Sequence, residues 1–586
     1  LPEDGRDLIN ATLPLIEEQI VHGLVRRQTG IWSLLVSLSF LVVLLVVASP
    51  VLADEGPALA GGVLDEQEEP VRGAEVALYL DGEPSPVLQQ ETDHLGHFVL
   101  DLPAPPSESA YVVISHPHFE SATQVIEGAD LAVLQEGGTV RVPDIALARQ
   151  ISAGFWIAIL IFAGMLFLII SEALHTTAAA LLAAASVLTI SLVGQVFDEG
   201  LYIIGFEQAI EYVDFEVIFL VLGMMIIVGT IERTGIFQWA AYQAYRISRG
   251  RLWLLAVILM VLTSVASALL DNVTTMLLMA PITLQIALTL RVDPLALLIP
   301  EMLASNVGGI STLIGTPNNI LIGSYAGLGF NDFLSNLTPG VLLVQVALTL
   351  YVIWVFRGPY RGGSGTDSGS LLALLKEHAQ ITEPVVLRKA GIVFLATLLL
   401  FIFGERFHLV PAVTAMIGGA ATLVVVRADV EEILHVVDWT TLLFFIALFM
   451  VIGALQEVGL ISLIGSGIHS LVGENLTAAT LITIWGTAMV CLLIPTVPLT
   501  AALLPVVGFL SRSIPGAGSN VLYYSLSMGS ALGANNSLIG ATNNMVSAGI
   551  AQRAGFPITY RAFIKVGFPA AVITLVVGTL WILIRF

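Results

Sequence analysis

The segment Val213-Asp-Phe-Glu-Val-Ile-Phe-Leu-Val-Leu-Gly-Met-Met-Ile-Ile-Val-Gly-Thr-Ile-Glu-Arg-Thr-Gly235 recurs as Val437-Asp-Trp-Thr-Thr-Leu-Leu-Phe-Phe-Ile-Ala-Leu-Phe-Met-Val-Ile-Gly-Ala-Leu-Gln-Glu-Val-Gly459. The two copies lie 224 residues apart (213 to 437), and each is apolar for about the 20 residues that cross a bilayer as a helix. The same spacing carries Pro281 in Met279-Ala-Pro-Ile onto Pro505 in Leu503-Leu-Pro-Val. A shift of 225 then superposes Ser311-Thr-Leu-Ile-Gly-Thr-Pro-Asn-Asn319 on Asn536-Ser-Leu-Ile-Gly-Ala-Thr-Asn-Asn544. Three matched blocks in one order mark an internal duplication.

Charge placement predicts that the copies are inverted. Residues 233–251 hold Arg233, Arg246, Arg249 and Arg251, whereas the counterpart, 457–477, has no Lys or Arg. The positive-inside rule then puts the first arm in the cytoplasm and the second outside. Arg357, Arg361, Lys376, Arg388, Lys389, Arg427, Arg553, Arg561 and Lys565 agree; Arg512 and Arg585 are exceptions.

Composition sets the solvent. Hydrophobic residues make up 56% of the 586, charged residues only 12%, and mean hydropathy is +0.90, so most of the chain is built for lipid. The single cysteine, Cys491, excludes an internal disulfide and a cysteine-based metal cluster. The net charge of −22 is concentrated in residues 54–150, where 18 acidic residues face three arginines. No basic stripe indicates nucleic-acid binding.

The expected organisation has six parts. Residues 1–30 form a cytoplasmic amphipathic helix ending at Arg26-Arg27, and 31–52 a membrane anchor read as uncleaved, although Val51-Leu52-Ala53 also suits signal cleavage. Residues 54–150 are extracytoplasmic and punctuated by Pro and Gly, with alternating runs such as Glu75-Val-Ala-Leu-Tyr-Leu80, His97-Phe-Val-Leu-Asp-Leu102 and Tyr111-Val-Val-Ile-Ser115 that predict a small β-sandwich. A transport domain follows in two halves, 151–357 and 389–586, joined by a cytoplasmic linker at 358–388. Full spans are expected near 152–171, 176–194, 214–232, 295–325, 340–357, 389–404, 410–426, 438–456, 520–550 and 565–585, about eleven with the anchor.

Residues 252–290 are too long for one span, and Arg251 and Arg291 both favour the cytoplasm. This run is therefore read as a re-entrant hairpin with its tip at Leu270-Asp-Asn-Val-Thr-Thr275; the second copy turns at Pro495-Thr-Val-Pro-Leu-Thr500. Irregular backbone at membrane depth must be satisfied by protein or by a water-filled cavity. Two hairpin tips and two Gly/Asn-rich helix breaks should thus converge, offering half-helix N-termini to anions and freed carbonyls to cations.

The expected ion- or substrate-binding residues are Asp271, Asn272, Thr274 and Thr275 at the first tip and Asn306, Gly308, Gly309, Gly315, Thr316, Asn318 and Asn319 in the first break. Their second-half partners are Thr496 and Thr500, then Asn535, Asn536, Ser537, Gly540, Thr542, Asn543 and Asn544. The structural alternative is that such residues serve as packing glue between membrane helices. Asp271 is singled out because a charge at the bilayer centre costs about 2.5–3.5 kcal/mol and must pair with a cation or carry a proton; the alternative is a helix cap. Glu301 is a second proton-coupling candidate, while Glu232 and Glu457 read as solvated boundary residues. Na⁺ at Asp271, Asn272 and Asn318, together with H⁺, are the expected coupling ions, with no other cofactor.

Ala266-Ser-Ala-Leu-Leu-Asp-Asn-Val-Thr-Thr-Met-Leu-Leu-Met-Ala-Pro281, with Ser305-Asn-Val-Gly-Gly-Ile-Ser-Thr-Leu-Ile-Gly-Thr-Pro-Asn-Asn319, resembles the ion transporter superfamily. The likeness is to its arsenite-pump and sodium/proton-antiporter branch, which includes the melanosomal P protein and citrate-transporter-like permeases. Residues 56–148, through Pro70-Val-Arg-Gly-Ala-Glu-Val76 and Thr92-Asp-His-Leu-Gly-His-Phe98, resemble carboxypeptidase regulatory-like modules, which implies no catalytic role. The superfamily resemblance implies an inner-membrane homodimer and an elevator stroke. Related dicarboxylate symporters carry Ser-Asn-Thr at both tips; Asp271-Asn-Val-Thr274 and Pro495-Thr-Val-Pro498 depart from that pattern. The leading function is cation/proton antiport, with efflux of arsenite or another oxyanion, or sodium-coupled anion symport, as alternatives. A non-transporting receptor or scaffold is the alternative of another class, and no enzyme motif is present.

Overall fold

The computed structural model describes residues 57–65, 70–107, 109–171, 173–362, 381–427 and 430–586. The expected N-terminal helix and anchor, and most of the linker, lie outside the described residues. The chain divides into two compact units: one holds the described residues up to His116 with Glu120–Ala148, the other Pro117–Phe119 with Arg149–Phe586.

The first unit contains two four-stranded sheets. Strand β1 (Ala58–Asp65) pairs antiparallel with β4 (His97–Asp101) and parallel with β7 (Thr139–Arg141) and β8 (Ile145–Leu147). The second sheet runs β3 (Leu88–Glu91), β2 (Glu75–Leu80), β5 (Ala110–His116), β6 (Phe119–Ile126). The three runs identified from alternation are β2, β4 and β5, because period-two patterning puts Val76, Leu78, Phe98, Leu100, Val112 and Ile114 into the core.

The second unit is a helical bundle in two matching halves. The first half comprises α1 (Ala153–Ile170), α2 (Thr176–Gly194), α3 (Phe215–Glu232), α4 (Ile236–Ser248), α5 (Leu252–Leu269), α6 (Asn272–Leu290), α7 (Leu295–Gly309), α8 (Pro317–Ala326) and α9 (Thr338–Val355). The second comprises α10 (Pro384–Phe403), α11 (Pro411–Val426), α12 (Trp439–Glu457), α13 (Leu460–Val472), α14 (Leu476–Val490), α15 (Thr496–Ser513), α16 (Val521–Gly533), α17 (Thr542–Arg553) and α18 (Tyr560–Arg585). Packing is reciprocal: α3 lies on α11 and α12 on α2, α7 lies on α5 and α16 on α14, and α8 packs against α15 as α17 does against α6.

Ten of the described helices are long and apolar enough to cross a membrane, and the protein is an integral polytopic membrane protein. The apolar runs at 295–325 and 520–550, expected to carry the Gly/Asn-rich breaks, are each two helices, α7 and α8 or α16 and α17, separated by irregular backbone. Helix α7 ends at Gly309, and Pro317 takes the first position of α8, where its missing N–H costs nothing, so an apolar run of spanning length is not one rod. Each half repeats one backbone device, with Gly235 (φ 80°) and Gly459 (φ 86°) both left-handed at the start of α4 and α13, which explains why both copies end on glycine. Gly308 and Gly533 let helices touch: a Cβ would come within 2.3 Å of the Ser264 carbonyl oxygen on α5, or 2.6 Å of Ala488 Cα on α14.

Candidate functional site

Asp271 sits between α5 and α6, outside regular helix. Its carboxylate caps α6, with one oxygen accepting from the Thr274 backbone N–H at 2.8 Å and the other from Thr274 Oγ1 at 2.5 Å. It also lines a cavity of about 290 Å³, so the cap and the cavity-facing carboxylate are one residue. Glu232 and Asp438 line the same cavity, and its lining holds no Lys or Arg. The reading of Glu232 as a solvated boundary residue is corrected: the end of α3 faces the hairpin tip, and the side chain is half-buried. Glu457 differs as well, since its carboxylate accepts the Tyr212 hydroxyl at 2.5 Å. Asp438 was not among the sequence candidates; its place after Val437 in the duplicated block was the available signal, and its carboxylate caps α12.

A polar knot joins the two halves beside the first hairpin tip. Asn272 Nδ2 donates to Asn306 Oδ1 at 3.1 Å, and Asn306 Nδ2 donates to Asn535 Oδ1 at 2.8 Å and Asn544 Oδ1 at 3.3 Å. Other predicted residues hold the breaks together. Asn319 Nδ2 donates to the carbonyls of Gly309, Ile310 and Thr312, and Asn544 Nδ2 to the equivalent carbonyls of Ala534 and Ser537. Carbonyls released by helix termination are thereby satisfied without water. Thr316 caps α8 through the Asn319 N–H, Asn536 Nδ2 donates to the Ala488 carbonyl, and Ser537 Oγ accepts from Gly540 N–H. The Thr496 N–H donates to the Gly540 carbonyl at 3.1 Å, tying the second tip to the second break. Gly309 and Gly315 meet so closely that a Cβ on Gly315 would lie 2.4 Å from the Gly309 carbonyl oxygen. Thr542 does not join the cluster, because it is exposed at the start of α17.

Four predicted side chains carry buried polar atoms without a hydrogen-bond partner: Thr275 Oγ1, Asn318 Oδ1, Thr500 Oγ1, and both Oδ1 and Nδ2 of Asn543. Asn318 and Asn543 are repeat-equivalent, 225 residues apart, whereas Thr275 and Thr500 lie near the starts of the corresponding helices α6 and α15. The packing of α6 on α17 brings the helices of Thr275 and Asn543 together, and that of α15 on α8 those of Thr500 and Asn318. An unsatisfied buried polar group costs about 1–3 kcal/mol, so recurrence of the defect at Asn318 and its counterpart Asn543 needs a reason. Glu301 lies apart on α7, fully buried: Oε1 accepts from Thr283 Oγ1 at 2.9 Å and Thr263 Oγ1 at 3.5 Å, while Oε2 has no partner. Among the described residues no group of three His, Cys, Asp or Glu is placed to hold a metal ion.

Residues 166–529, wholly within the helical unit, match the family described as Citrate transporter. A 46 kDa membrane protein of Mycobacterium leprae is 34% identical over 431 residues, covering 73% of this chain and 98% of the relative. An uncharacterized transporter of Mycobacterium tuberculosis is 34% identical over 439 residues, with the same shares of 73% and 98%. The P protein of Homo sapiens is 32% identical over 508 residues, 73% of this chain and 59% of that protein. A looser likeness, at 13% identity and a TM-score of 0.48, is to the Alcanivorax borkumensis YdaH transporter, over 73% of this chain and 97% of that one.

Proposed function

We propose, from the premise that this chain belongs to the citrate-transporter family of membrane transport proteins, that it is a secondary transporter exchanging a cation such as Na⁺ for protons. It is a transporter and not an enzyme. The observation that carries the cation reading is the cavity at the first hairpin tip, where Asp271, Glu232 and Asp438 supply carboxylates and no basic residue contributes. A carboxylate that binds either a proton or a cation, and never both, links the two fluxes.

The unpartnered oxygens of Thr275, Asn318, Thr500 and Asn543 support the same reading, since hydroxyl and amide oxygens suit a hard monovalent cation. Reciprocal packing and matched helix breaks support a duplicated, inverted architecture in which the α5–α6 and α14–α15 pairs are re-entrant hairpins. With the arginines of α4 and the residues after it on the cytoplasmic side, the mouth beside Glu232 opens inward.

Anion symport is the second reading. It is favoured by the family's description and by the N-termini of α8 and α17 at the breaks, where helix dipoles attract negative charge. Reconstituted protein under an imposed pH gradient, offered Na⁺, arsenite or citrate in turn, separates these readings. Proton-coupled movement of Na⁺ alone supports antiport; citrate or arsenite flux without Na⁺/H⁺ exchange rejects it.

A further inference from the structure

We propose that Leu220, Val221, Leu313, Ile314 and Ile320 form a dry apolar seal between two cavities placed end to end along α3, and that this seal closes the solute path. The cavity beside Asp271 meets α3 from Val221 to Glu232. A larger cavity, of about 630 Å³, meets the same helix at Glu216, Val217 and Leu220. At 1.5 Å of rise per residue, the lining changes from one cavity to the other within a single step of α3.

The first helix break changes sides at the same level: Leu313 lines the larger cavity and Ile314 the smaller. Helix α8 does so at one residue, Ile320, which lines both. Three separate segments therefore meet in one partition. All five side chains are buried, with Ile320 only 4% exposed and Leu313 1%. Leu313 is seated on Gly323, where an added Cβ would approach its Cδ1 to 2.2 Å.

Each cavity has polar groups away from the partition: Glu216, Asp332, Glu405 and His408 in the larger, Glu232, Asp271 and Asp438 in the smaller. Water and ions can thus approach from either end, while a constriction of aliphatic side chains keeps the middle dewetted. The two halves of the seal belong to different packing partners. Leu220 and Val221 ride on α3, packed on α11, whereas Leu313, Ile314 and Ile320 belong to the break that the three Asn319 hydrogen bonds hold rigid. Such a boundary can slide without breaking hydrogen bonds. Placing an apolar pair inside an otherwise polar break then has a purpose, and the pair recurs as Leu538-Ile539 in the second half.

The identity of the crossing solute rests on the cation-exchange reading; the seal itself does not. The test uses the full chain in liposomes, with Ile320→Ala, Leu220→Ala and the conservative Ile320→Val, each alone and combined with Asp271→Asn. Passive proton and Na⁺ entry are followed, and monodispersity is checked by gel filtration. Thinning the seal should raise passive entry about tenfold or more in Ile320→Ala or Leu220→Ala, and Ile320→Val should stay near wild type. The leak should persist with Asp271→Asn, since it bypasses the coupling carboxylate. Wild-type tightness in both alanine variants, with either one monodisperse, overturns the seal. A leak in the alanine variants without Na⁺/H⁺ exchange in the wild type upholds the seal and refutes the cation-exchange reading instead.

Discussion

Asn543→Leu should stabilise the ion-free protein, whereas the same change one residue later should damage it. Asn543 is fully buried and neither side-chain polar atom has a partner, so a leucine of similar size removes an unsatisfied donor and acceptor. With about 1–3 kcal/mol attached to such groups, the expected gain is about 1–3 kcal/mol. Asn544 donates to the Ala534 and Ser537 carbonyls and accepts from Asn306, so Asn544→Leu strands those carbonyls and should lose about 2–4 kcal/mol. Sodium supplies the second arm. At about ten times its Kd, an ion that binds only the folded state adds about 1.4 kcal/mol, a gain that wild type should show and Asn543→Leu should lose. Thermal unfolding in detergent, with Na⁺ against choline, reads both effects. Equal destabilisation by the two substitutions, or full sodium stabilisation in Asn543→Leu, would refute the reasoning.

Gly308→Ala should cost about 1–3 kcal/mol, because its Cβ would strike backbone atoms of Ser264 rather than a yielding side chain; unchanged thermal stability would contradict that packing. Cysteines at the repeat-equivalent exposed sites, Arg246→Cys and Ser470→Cys, in a background lacking Cys491, should react from opposite faces of the membrane with an impermeant maleimide. Labelling from the same face would sink the inversion. Burial holds the His118 imidazole below its usual value of 6.5, against the opposing effect of its 2.8 Å hydrogen bond to the Ile203 carbonyl. Its contribution to stability is therefore complete above pH 6.5 and declines as acidification protonates the unfolded chain first. His118→Phe should flatten the acid side of the stability profile, and an unchanged slope would assign that slope to other groups.

The repeated sequence blocks were legible because their markers are backbone demands. Gly235 and Gly459 occupy left-handed positions that few other residues tolerate, and the break motifs interrupt helices wherever they fall. Neighbouring side chains within one motif were harder to assign. Asn318 and Asn319 are adjacent and chemically identical, yet successive helical residues point about 100° apart, so one is left with an unpartnered oxygen while the other staples three carbonyls. Thr542 aligns with Pro317, and the first turn of α17 leaves it exposed. Glu232 and Asp438 gain their relevance from tertiary packing, because α3, α12 and the hairpin tip meet only in the folded bundle.

The cation-exchange reading is tested most directly by Asp271→Asn in proteoliposomes carrying an inward-directed Na⁺ gradient and an internal pH indicator. Asparagine can still accept the Thr274 N–H and so preserve the cap of α6, while losing the ability to exchange a proton for a cation. Wild-type protein should move protons against the Na⁺ gradient, and Asp271→Asn should fold normally yet show no exchange at any pH. Wild-type, pH-dependent exchange in Asp271→Asn would contradict the assignment and reduce this carboxylate to a helix cap.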